Sequence, residues 1–392
     1  YIICLLCVFF WGCNDKLDVD PYTFTSDKTY YKTPDQIKSA INGIYDKLQD
    51  LYNGNHIYIH TEMRADNTDY QYYETDRGIQ QREDINDFLM TASNIYNQNV
   101  WNRLYDGIQQ ANAVIVNIDN VEYTDDNLKA QHEGETRFLR AFFYFHLVRL
   151  YGEVPLKDKP TTGPGDAFTS TKASVEELYA FIKEDVTKAI EKLPAKYENA
   201  SDKGRLTKGA AYTMMGEICM TLHDYTNAVN YFTEVTKLGY VLLTGENGYA
   251  SLFDPTNKNN AESIFEIQYS ATVEGESSDY IFAWGPRDSK STLINSAWTS
   301  AMGGSNTPTL DILQAYEEGD LRMDAPIGYF VDSRNKVSQE SFGGDFSISG
   351  DTAVYIKKYY HTLFTVDGRA DEILPVYRYV YVKLFNLEAL TV

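Results

Sequence analysis

Cysteine is scarce in this chain: four in 392 residues, at positions 4, 7, 13 and 219. Three crowd the extreme N-terminus and the fourth stands alone, so no disulfide framework can be built. Cys4 and Cys7 sit in an apolar run with no His or second Cys pair beside them, which argues against a zinc site. Positive charge is also in short supply. There are 35 Lys and Arg against 56 Asp and Glu, a formal net charge of −21. Such a surface repels phosphate backbones, so a nucleic-acid partner is not expected. Catalytic signatures are missing as well: no G-x-S-x-G, no H-E-x-x-H and no Gly-rich phosphate loop. His132-Glu133 has no second His four residues on from the first. The chain is therefore not expected to be an enzyme, nor to carry a metal or cofactor. No apolar run, residues 2–11 included, is long enough to span a bilayer.

What is abundant is aromatic. Tyr contributes 32 residues, Phe 19 and Trp 4. Tyr joins an apolar face to a polar tip, so it serves in cores and on wet recognition surfaces alike.

Residues 2–11 form an apolar stretch of the length of a signal-peptide core, and Gly12-Cys13 follows at once. A small residue before Cys at the end of such a run resembles a bacterial lipoprotein processing site, with Cys13 as the acylated residue. Phe10 and Trp11 are bulkier than the residues usual before that pair. The first residue is Tyr1 rather than Met, so the start of the gene product is expected to be missing. Residues 14–32 are polar, broken by Pro21, and read as a tether.

From residue 33 the reading is helical. Thr33-Pro34-Asp35 opens a helix to about Tyr52, with Ile37, Ile41, Ile44 and Leu48 on one face. Residues 53–98 are polar and read as irregular. Periodicity returns at Trp101, which falls on the apolar face with Leu104 and Ile108 and reads as packing. A further helix starts near Asp125 and runs through RFLRAFFYFHLVRLY to Tyr151, where Gly152 and Pro155 stop it. Its only polar strip is Glu133, Arg137, Arg140 and Tyr144, so it belongs in the middle of a helical stack, its arginines paired with carboxylates or helix ends. Ser174 and Glu177 form a capping box for the next helix. In residues 206–239, Gly216, Tyr225, Ala228 and Phe232 fall at tetratricopeptide-repeat spacing, giving two antiparallel helices joined at His223-Asp224. Residues 240–371 turn loop-rich, with short strand-like pieces at 263–269 and 353–360, and helical character resumes at 377–390.

These segments, in this order, resemble the SusD/RagB family of nutrient-binding surface lipoproteins of Bacteroidetes. The match rests on CNDKLDVDP, TPDQIKSAINGIYDKL, WNRLYDGIQQANAVI, GETRFLRAFFYFHLVRLYGEVPL, GRLTKGAAYTMMGEICMTLHDYTNAVNYF and LPVYRYVYVKLFNLEAL. Relatives continue beyond the late helix, so the chain is expected to be truncated at both ends. The resemblance implies a mainly α fold of tetratricopeptide-like helix pairs with a loop-rich region packed on it. The organisation expected is a signal segment 1–13, a tether 14–32 and one domain 33–392. Within that domain, 33–239 and 372–392 form the helical scaffold and 240–371 the ligand region. The resemblance further implies a lipid anchor at the outer membrane facing the exterior, a SusC-like TonB-dependent transporter as partner, and capture of oligosaccharides. A peptide ligand, or a scaffold for protein partners alone, stands as the alternative.

Sugars offer apolar C–H faces and hydroxyl edges, so their binding calls for exposed rings flanked by carboxylates, amides or Arg. Two stretches meet that need: residues 66–77, with Asp69, Tyr72 and Tyr73, and residues 280–299, with Trp284, Arg287, Asn295 and Trp298. Trp284 and Trp298 are expected either to serve as sugar platforms or to stitch the loop region together.

Overall fold

The computed structural model describes residues 30–53, 56–70, 80–163, 165–166, 171–245, 247–285, 306–331, 352–360 and 366–392. Its first helix, α1 (Pro34–Tyr52), opens on a complete capping box. The Gln36 amide N–H donates to Thr33 Oγ1 at 3.3 Å, and the Thr33 N–H donates to Gln36 Oε1 at 3.2 Å. Two short helices follow, α2 (Ile57–Thr61) and α3 (Gln80–Asn86), inside the stretch read as irregular. They are anchored by Ile57, Ile59 and Ile85, all at most 1% exposed, and each is too short to display a helical period. Helix α4 (Ile95–Asn117) begins earlier than its apolar periodicity, because Asn94 accepts from the Tyr96 and Asn97 N–H groups and starts it. Helix α5 (Asp126–Tyr151) is capped by Asp125 and ends at Gly152, whose φ of 69° suits a residue without Cβ. Helix α6 (Val175–Lys192) carries the Ser174–Glu177 box. The repeat-like pair is α7 (Lys208–Thr221) and α8 (Tyr225–Thr236). Short α9 (Tyr280–Trp284) and α10 (Leu310–Ala315) lie in the loop-rich region, and α11 (Tyr379–Thr391) comes last.

Helix α5 packs between α4 and α6 and also touches α1. This accounts for its missing polar face: Phe138, Phe143, Tyr144 and Phe145 are at most 1% exposed. The polar strip turns to α6. Arg137 and Arg140 both bond Asp185, and Arg140 also donates to Asn112 of α4 at 2.7 Å. The strip arginines are structural. In the α7–α8 pair a Cβ at Gly216 would overlap the Phe232 ring, so the close approach depends on that glycine.

Six strands lie among the described residues: β1 (Thr68–Asp69), β2 (Ser263–Gln268), β3 (Thr307–Pro308), β4 (Ile327–Val331), β5 (Thr352–Ile356) and β6 (Ile373–Arg378). They form three antiparallel pairs, β1 with β3, β2 with β6 and β4 with β5. The β2–β6 pair corrects the assignment of residues 372–378 to the helical scaffold, while the helix read over 377–390 is present as α11. Residues 373–378 are extended, paired from Ser263↔Arg378 to Gln268↔Ile373, and the helix starts only at Tyr379. Pro375 cannot donate within a helix, and the β2 edge supplies a tertiary partner that helical periodicity cannot reveal.

Candidate functional site

Asp69 and Trp284 are the predicted site residues that fall on described positions; Tyr72, Tyr73, Arg287, Asn295 and Trp298, and the proposed lipidation residue Cys13, lie outside the described residues. Asp69 is exposed on β1, opposite Thr307 of β3. Its Oδ1 accepts from the Tyr70 N–H at 2.9 Å and from Asn86 Nδ2 at 2.7 Å. Nearby, the Thr309 N–H donates to Asn67 O at 3.0 Å and Thr309 Oγ1 donates to Asp66 O at 2.7 Å. Residues 66–70 open the first of the expected ligand stretches, and residues 306–309 follow the second. The chain is thus laced together where the two stretches have their roots.

Trp284 is not displayed as a platform. It is 2% exposed, and its ring meets Tyr58 and Tyr280 at 4.6 Å and Tyr359 at 4.9 Å between centroids. Helix α9 turns Tyr280, Ile281 and Trp284 inward together, so a segment that reads as Gly- and Ser-rich loop has an aromatic core of its own. This geometry is that of the stitching role. The indole Nε1 finds no hydrogen-bond partner there. Beside it Glu372 is 1% exposed; its Oε1 accepts from the Ile281 N–H at 3.4 Å, and burial pushes the carboxyl up to about 8.

A different tryptophan faces open space. Trp101 lines a cleft of about 330 Å³ together with Ala92, Asn97, Gln98, Asn102 and Tyr151. One side of the indole packs on the scaffold, 5.1 Å from the Tyr105 ring and 5.0 Å from Tyr151, and the residue stays partly exposed. Gln98 and Asn102 are exposed, and Asn97 Oδ1 has no partner. Tyr151 donates from its hydroxyl to Asn97 O at 3.0 Å. Burial holds that phenol well above its ordinary range, so it stays a protonated donor. An indole bordered by the exposed amides of Gln98 and Asn102 suits a pyranose: such a ring can cover a C–H face, and such amides can bridge neighbouring hydroxyls as donor and acceptor. Sequence reasoning put Trp101 down as packing, and its ring does pack on the core while the residue stays partly exposed. The available signal was Asn97 and Gln98, which stand at i−4 and i−3 and put amides beside Trp101 on α4.

Among the described residues no group of three or more His, Cys, Asp or Glu could hold a metal ion, and no helix is long and apolar enough to cross a membrane.

The SusD-like family described as "Starch-binding associating with outer membrane" matches residues 15–220. The chain is similar to SusD-like protein P2 of Formosa agariphila, 25% identical over 402 residues, which cover all of this chain and 76% of that protein. It is similar also to a SusD-like protein of Bacteroides ovatus, 25% identical over 343 residues, which cover 83% of this chain and 58% of that one. It spans 50% of a further Formosa agariphila relative, SusD-like protein P25. Among solved structures it shares its fold with a "Laminarin binding SusD-like protein" (TM-score 0.74, 22% identity, covering 92% of this chain and 81% of that one). It shares it also with surface glycan-binding protein A from Bacteroides uniformis (TM-score 0.73, 21% identity, covering 91% and 76%).

Proposed function

The chain belongs to the SusD-like family, and from that premise we propose that it captures oligosaccharides at the cell surface and delivers them to a SusC-like TonB-dependent transporter in the outer membrane. The observation that carries this reading is the Trp101 cleft, a partly exposed indole bordered by the exposed amides of Gln98 and Asn102. Two relatives in fold are named for laminarin binding and glycan binding, which agrees with that chemistry. Tyr72, Tyr73, Arg287, Asn295 and Trp298 enter the same proposal as ligand contacts, on stretches whose roots meet at β1 and β3. Asp69 would steady that junction. Capture of this kind needs no bond made or broken, so no catalytic group is invoked.

Membrane attachment is assigned to Cys13, acylated and facing outward. A cysteine residue carrying several acyl chains holds firmly where a single chain would exchange. Replacing Cys13 with Ala should release the protein from the outer-membrane fraction; retention there would refute the anchor.

Affinity electrophoresis in gels containing laminarin or starch tests the binding reading. Wild type should be retarded by at least one of them. Trp101→Ala and Asn102→Ala, checked for fold by circular dichroism, should lose affinity, the former by a few kcal/mol if it is a hot spot. Unretarded wild type, or unchanged retardation of both variants, would remove the proposal or its site respectively.

A further inference from the structure

A second cleft, of about 390 Å³, lies between α1, the turn ahead of α7, and β2. It is built from parts of the chain far apart in sequence. Asn42 and Gln49 come from α1, Lys203 and Arg205 from the turn, Gln268 from β2, and Glu276 from just beyond it. Gly204 permits the close approach of turn to strand: its φ is 96°, and a Cβ would stand 3.2 Å from the Gln268 side chain.

The hydrogen-bonding capacity of this cleft is not used up internally. The Arg205 side chain is 11% exposed; its Nε donates to Glu135 Oε2 at 2.9 Å and its Nη1 to Asn42 Oδ1 at 2.8 Å. Its Nη2 is buried without a partner. Lys203 and Glu276 line the same cleft with opposite charges and form no ion pair among the described residues. The Gln49 amide is 8% exposed and donates to Gln268 O at 2.6 Å, which fixes the wall.

We propose that this cleft is a second ligand site, for one or two rings of a neutral sugar. The exposed Lys203 ammonium and the part-exposed Glu276 carboxylate, set around one volume, match vicinal hydroxyls, which accept from the ammonium and donate to the carboxylate. An anionic ligand would meet Asp46 and Glu276 on the walls, and the Arg205 charge is already set against the buried Glu135. The volume is at the lower end of small-molecule sites, roughly 300–1,000 Å³. The site shares no lining residue with the Trp101 cleft and stands or falls independently of polysaccharide capture there.

The test is calorimetric titration with maltose and with laminaribiose, of wild type and of a Trp101→Ala background that silences the first cleft. Inorganic phosphate and glycylglycine serve as competitors. Arg205 is left alone because its substitution would strand Glu135. The rim pair Lys203→Ala with Glu276→Gln, and separately Ser201→Trp as a plug, are introduced instead, with melting curves to confirm folding. One disaccharide should bind the background protein, and the rim pair and the plug should each weaken it at least about tenfold. No disaccharide binding to the background, or unchanged binding in both folded variants, overturns the site. Displacement by phosphate or glycylglycine overturns the assignment to a neutral sugar. Loss of laminarin or starch retardation on Trp101→Ala, with the cleft variants behaving as wild type, would leave the surface-capture reading intact and this one refuted.

Discussion

Arg140 and Asp185 face each other across the α5–α6 interface as a two-pronged pair, Nε to Oδ2 at 2.7 Å and Nη2 to Oδ1 at 2.9 Å. Neither side chain is more than 5% exposed. Burial would make such a pair unfavourable were its remaining valences open, but Asn112 takes Nη1 and Arg137 adds a second cation at 2.9 Å from Oδ1. Asp185→Ala leaves two guanidinium groups in the interface without their carboxylate. Unfolding by urea should show a loss of about 3–5 kcal/mol. A loss below about 1 kcal/mol would mean that water reaches the pair.

Gly216→Leu is expected to lower the melting temperature, because the new side chain must displace the Phe232 ring between α7 and α8. Overpacking of this kind costs about 1–3 kcal/mol. An unchanged melting curve would contradict the packing of the helix pair.

Trp284→Ala separates the two roles held open for that residue. With its ring enclosed by Tyr58, Tyr280 and Tyr359, truncation should cost stability, about 3–5 kcal/mol. Glycan affinity of the folded fraction should stay near wild type. A variant with wild-type melting and lost affinity would restore the platform role.

Glu372 should make stability fall as pH rises. Below its ordinary value of 4.5 the carboxyl is protonated in folded and unfolded chains alike; between there and about 8 the unfolded chain ionises while the buried carboxyl keeps its proton. Folding then takes up a proton, and the slope approaches ~1.4 kcal/mol per pH unit inside that window. Glu372→Gln removes it. The melting-temperature difference, variant minus wild type, should grow from about pH 4.5 to about pH 8, and a flat difference would show that water solvates the group.

The helical scaffold was legible because its signals are local. Thr33, Asp125, Ser174 and Gly152 mark ends by their own hydrogen bonds or φ, and the aromatic crowding of α5 foretells its central place. The β2–β6 pairing was not legible as a pairing, since its partners are remote in the chain and the edge that decides residues 373–378 lies in another segment. The positions of exposed rings were not legible: Trp284 is turned inward, while Trp101, read as packing, stays partly exposed beside a cleft. Apolar periodicity assigns a residue to the core side of a helix; it does not say where the neighbouring helix stops and leaves a gap.

The pairing of β2 with β6 also makes a clasp. It brings residue 268 beside residue 373 and closes everything between them into one ring of chain hung from the helical scaffold. The entropic cost of such a ring rises only with the logarithm of its length, so doubling it adds roughly 0.6 kcal/mol. Insertions and deletions that spare its packed parts, such as Tyr280, Trp284 and Tyr359, therefore cost the clasp little. Length can thus change inside the ring at little cost to its closure.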